Sequence, residues 1–71
     1  MNVQGYKVEI QKLNPDLGGG FVAFAPELVG CASDGETPAI ALLNLEDAVE
    51  MWLDTAREIG RQIPKPSIAD A

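Results

Sequence analysis

Glu46, Asp47, Glu50, Asp54 and Glu58 are the residues whose type and spacing first suggest chemistry. At about 100° per residue on a helix, all five fall within an arc of roughly 120°. Glu46–Glu50, Glu50–Asp54 and Asp54–Glu58 are like-charge pairs four apart, each destabilising by a few tenths of a kcal/mol, and only Arg57 lies inside the arc. Carboxylates that work as acid and base need one partly buried member with a raised pKa, and these all project from the wet side of the helix. Two readings stay open: a plain solvated face, or an anionic ridge that docks a cationic surface. Cys31 has no histidine anywhere in the chain to activate it and no basic neighbour nearby in sequence, so it reads as a buried structural thiol. Gly18-Gly19-Gly20 opens a strand, whereas a phosphate loop feeds a helix and continues into Lys-Ser or Lys-Thr. Tyr6, Phe21, Phe24 and Trp52 lack the interleaved Lys and Arg of a base-stacking surface. No reaction centre, metal set or cofactor site emerges, and the expectation is a protein that is not an enzyme.

The composition points the same way. The chain has 71 residues, 5 basic against 11 acidic, no histidine and one cysteine. A net charge of −6 repels a nucleic-acid backbone and suits a basic partner. So short a chain has a marginal core and needs a staple. An intramolecular disulfide and the usual zinc sets are excluded, which leaves self-association. No secretory signal is visible and no apolar run is long enough for a membrane span, so a cytoplasmic protein with a reduced Cys31 is expected.

Those side chains must be positioned by a small set of elements. Tyr6, Val8 and Ile10 alternate with Lys7, Glu9 and Gln11, which predicts a half-buried strand. Asn14 to Gly20 reads as a hairpin connection, and Phe21 to Ala25 as a strand apolar on both faces. One helix can cover only one of those faces. The other, bearing Val22 and Phe24 (or Phe21 and Ala23), is expected to meet another subunit in a dimer or tetramer. Pro26 ends the strand, Cys31–Ser33 is a short third strand, and Asp34 to Glu36 turns into the helix. Thr37 is a good N-cap, Pro38 suits the first helical position and Gly60 suits the left-handed close, giving a helix over 38–59. Ala41, Leu45, Ala48, Val49, Trp52, Ala56 and Ile59 form its apolar stripe, with Trp52 as the expected main anchor. A further edge strand is expected near Ser67. The fold class is α+β: three antiparallel strands with one long helix on one face, in a single domain over 1–71.

The order of elements also carries a resemblance. Gly20 through Cys31, reading G-F-V-A-F-A-P-E-L-V-G-C, resembles a segment of HicB-like proteins, and Ser33-Asp34-Gly35-Glu36-Thr37 is similar to their entry into the helix. Ala48 to Leu53, then Gly60, Ile63-Pro64 and Pro66-Ser67, continue the match, which covers about residues 6 to 67. The resemblance implies the antitoxin half of a HicA–HicB pair, with a partial ribonuclease-H-like fold lacking catalytic acids. It implies binding to a small basic HicA-type ribonuclease toxin whose active site it masks. Many relatives add a C-terminal DNA-binding domain; here the chain ends at Ala71, and none is expected. Family members often carry acids early in the helix, where this chain has Pro38-Ala39-Ile40-Ala41. The partner-binding residues expected from helical geometry are Glu46, Asp47, Glu50, Asp54 and Glu58, and the expected oligomer contacts are Phe21, Val22 and Phe24. The alternative is an oligomeric scaffold of the same fold with no toxin.

Overall fold

The computed structural model describes residues 2–66. Strands β1 (Asn2–Val3) and β2 (Tyr6–Lys7) form a small hairpin. β3 (Glu9–Lys12), β4 (Phe21–Phe24) and β5 (Ala32–Gly35) form an antiparallel sheet in that order, and α1 (Pro38–Ile59) packs on it. The α+β architecture of three strands and one long helix is thus the observed one.

The first strand differs in detail. Tyr6 to Gln11 is not one strand: it breaks at Val8, and Tyr6–Lys7 folds back on Asn2–Val3. Gln4 and Gly5 both take positive φ (52° and 84°), the backbone that a two-residue hairpin turn demands. Tyr6 and Val8 are nonetheless buried and Ile10 packs against the core, so the alternation holds across the break.

The connection from Asn14 to Gly20 contains a short 3₁₀ turn, Pro15–Leu17, begun by Asn14 Oδ1 accepting from the Asp16 N–H at 2.9 Å. The third strand runs later than expected, through Asp34 and Gly35, because Phe21 pairs with Gly35 and Val22 with Asp34. Gly35 is needed there. A Cβ would stand 2.5 Å from the Ala41 nitrogen, so only glycine lets the helix start against the sheet.

The helix has the expected bounds. Thr37 Oγ1 accepts from the Ile40 N–H at 3.1 Å, and Gly60 closes it at φ 71°, with the Arg61 N–H reaching back to the Ala56 carbonyl at 2.8 Å. Its buried face is Ala41, Leu45, Val49, Leu53 and Ala56. Ile59, placed on the stripe by spacing, is 68% exposed, and Leu53 replaces it. The buried row advances by fours, and each step turns roughly 40° beyond a full turn, which carries the contact line to Leu53 and leaves Ile59 outside. Leu45 and Val49 are the fully buried anchors, while Trp52 is only half-buried at the edge of the core.

Ala23 and Ala25 of the central segment are buried beneath the helix together with Leu28 and Cys31, and Phe21 packs against the same core. After the helix, Ile63 returns to the core and the Tyr6 hydroxyl donates to the Pro64 carbonyl at 2.6 Å. The edge strand expected near Ser67 lies outside the described residues.

Candidate functional site

The helix holds the ridge. Glu46, Asp47, Glu50, Asp54 and Glu58 are all exposed, on the side of α1 away from the Leu45–Val49 row. Arg57 Nη1 meets Asp54 Oδ1 at 3.0 Å, and among the described residues this is the one ion pair. Both partners are about two-thirds exposed, so the pair contributes little, and the other four carboxylates are exposed with no ion-pair partner among the described residues. Glu46, Asp47 and Glu50 also border a polar hollow of about 350 Å³ whose far wall is Asn2, Val3 and Gln4 of the first hairpin.

Sequence spacing missed the apolar part of this surface. Leu43 is 61% exposed and Ile40 is also exposed, although both are large and apolar. Leu43 stands four residues before Asp47, on the same helix row. The signal was present as apolar residues off the buried stripe. The outer face of α1 is therefore an anionic surface with exposed apolar side chains at its N-terminal end.

The three aromatic and aliphatic residues expected at an oligomer contact are separated by the sheet. Phe21 lies on the helix side with Ala23, whereas Val22 and Phe24 are half-buried on the opposite face, over which no helix of the described residues lies. In the ladder Val22 sits between Gln11 and Asp34, and Phe24 between Glu9 and Ala32.

Cys31 is buried, and desolvation pushes its thiol pKa above the ordinary value, the opposite of an activated nucleophile. Gly18, Gly19 and Gly20 border a depression that also contains Asp34 and Glu36, whose charge would repel a phosphate. Among the described residues no group of three or more Cys, Asp and Glu is placed to hold a metal ion. No helix among them is long and apolar enough to cross a membrane.

Trp52 has a different role from the one its spacing suggested. Its indole N–H donates to the Val29 carbonyl at 2.9 Å, which ties the helix to the turn between β4 and β5. The Arg61 guanidinium covers the ring at 5.0 Å.

The chain resembles known proteins over most of its length. A UPF0150 protein of Synechocystis sp. is 32% identical over 66 residues, 93% of this chain and 80% of that protein. A second UPF0150 protein of that organism is 40% identical over 50 residues, 70% of this chain and 68% of that protein. A UPF0150 protein of Thermoplasma acidophilum is 32% identical over 60 residues, 84% of this chain and 83% of its own length. No solved structure matches. Residues 6–71 match the family model described as the HicB-like antitoxin of bacterial toxin–antitoxin systems. That match spans nearly the whole chain, and the chain belongs to the HicB-like antitoxin family.

Proposed function

We propose that this protein neutralises a small basic HicA-type ribonuclease toxin by covering its active site, acting in the cytoplasm by binding and not by catalysis. The observation that carries the reading is the outer face of α1: five exposed carboxylates, of which, among the described residues, only Asp54 has a cation partner, on a chain that belongs to an antitoxin family. A basic ribonuclease surface is the complement of that face. Charge speeds the encounter, and desolvated apolar anchors such as Leu43 supply affinity. The like-charge repulsion along the helix is relieved when a cationic surface docks on it.

The test is co-expression with the product of the neighbouring reading frame, followed by pull-down and titration calorimetry. Glu50→Lys/Asp54→Lys is expected to weaken binding about tenfold or more. Unchanged affinity removes the ridge from the mechanism, and failure of the wild-type chain to bind removes the antitoxin reading itself.

A second reading has its own observation. Val22 and Phe24 form a half-buried apolar pair on the uncovered sheet face, as an oligomeric scaffold without a toxin would require. In that reading the sheet face is the functional surface, and Phe24→Lys abolishes assembly.

A further inference from the structure

Among the described residues, β5 is an edge: it pairs with β4 on one side and with no strand on the other. The ladder fixes which of its backbone groups remain unused. The Ala25 N–H donates to the Cys31 carbonyl at 3.1 Å, and by alternation along the ladder Ala23–Ser33 and Phe21–Gly35 are the pairs that exchange hydrogen bonds. The residues between them turn their N–H and C=O the other way. Ala32 and Asp34 therefore aim at the free edge. Asn44 Nδ2 donates to the Asp34 carbonyl at 2.8 Å, and among the described residues the N–H and C=O of Ala32 and the N–H of Asp34 meet no strand.

Beside that edge lies an apolar groove of about 320 Å³, bounded by Cys31 and Ala32 on the strand side and by Met51, Trp52, Thr55 and Ile59 on the helix. Met51 is 69% exposed, and Ile59 is the residue that the buried row left outside. None of the five helix carboxylates lines this groove, and its one charged lining residue is Arg61. On a chain of net charge −6, this is the flank that another molecule of the same sign can approach without repulsion. A basic partner finds no carboxylate there and meets Arg61 instead.

The geometry points to a second copy of this chain as the occupant. Two β5 edges pair antiparallel about a two-fold axis at Ala32, each Ala32 N–H donating to the Ala32 carbonyl of the other copy. The sheet becomes continuous across six strands. Both helices lie on one face of it, side by side, with Met51 and Ile59 of each copy closing the groove of the other. One self-complementary contact thus covers the open strand edge and the exposed apolar flank together. It uses neither the carboxylate ridge nor the Val22–Phe24 face, so the dimer keeps two ridges available outward.

Sedimentation of the full chain across the micromolar range tests this, with circular dichroism to confirm folding of each variant. The wild-type chain is expected at the mass of a dimer. Met51→Lys and Thr55→Lys, both on the exposed flank, are each expected to halve that mass, and Phe24→Lys to leave it unchanged. In a Cys31→Ala background, Ala32→Cys is expected to form an interchain disulfide under mild oxidation, and Val22→Cys is not. A wild-type monomer overturns the proposal, as does a dimer that survives both lysine variants without the Ala32→Cys crosslink. A dimer lost to Phe24→Lys while both flank variants are silent places the contact on the sheet face and overturns it too. A monomer whose toxin binding is lost with Met51→Lys assigns the groove to the toxin.

Discussion

Gly35 and Ile40 approach so closely that a Cβ on Gly35 would stand 2.7 Å from Ile40 Cγ2. The last residue of β5 and the first turn of α1 are thereby locked together, and this contact sets where the helix begins over the sheet. Gly35→Ala must push the helix away or distort the strand. Overpacking of this kind costs about 1–3 kcal/mol. Urea denaturation should show a lower midpoint with an unchanged slope, because the loss lies in the folded state.

Leu43 and Leu45 offer a matched pair two residues apart on the helix. Leu45 is fully buried, so Leu45→Ala should cost about 2–5 kcal/mol through lost burial and a cavity. Leu43 is exposed, and Leu43→Ala should leave stability within about 0.5 kcal/mol. On the reading proposed above, the same Leu43→Ala should weaken toxin binding measurably in titration calorimetry. Thermal melts of the two variants beside those titrations separate the roles.

Cys31 gives a pH dependence whose sign follows from burial. Desolvation raises its thiol pKa in the folded state above the ordinary value of 9.0, so the folded protein holds the proton more tightly than the unfolded chain. The linked stability is fully present below the unfolded value and declines as pH rises through 9.0 toward the folded one. Denaturation profiles collected from neutral to alkaline pH should show this decline, and Cys31→Ala should flatten that part of it. Alkylation of the native thiol should also be slower than in the denatured chain.

How legible the molecule was in its sequence varied with the range of the forces involved. The helix bounds were readable because Thr37, Pro38 and Gly60 act within one turn of themselves. The carboxylate ridge was readable because helical spacing alone places it. The break at Val8 was not, since it depends on Gln4 and Gly5 both taking positive φ, and glutamine gives no warning of that. The exposure of Ile59 and the shallow seat of Trp52 depend on which row of the helix meets the sheet, and apolar spacing admitted the row through Ala48, Trp52 and Ile59 as well as the one through Leu45, Val49 and Leu53. The side of the sheet to which Phe21 belongs was left open by a strand apolar on both faces, and only pairing register and helix placement decide it.

Trp52 reports on the far end of the helix. Trp52→Phe removes the donor to the Val29 carbonyl and should cost about 1 kcal/mol, since both groups stay accessible to water. Arg61→Ala should shift the indole emission with little effect on stability, because the cation over the ring is lost while the hydrogen bond remains.

The most direct test of the proposed inhibition by coverage is to titrate this protein into the proposed ribonuclease partner while following cleavage of an RNA substrate. The account predicts that cleavage falls linearly to zero at a fixed molar ratio, and that Glu50→Lys/Asp54→Lys needs a large excess to reach the same point. Undiminished cleavage at saturating wild-type protein would contradict it.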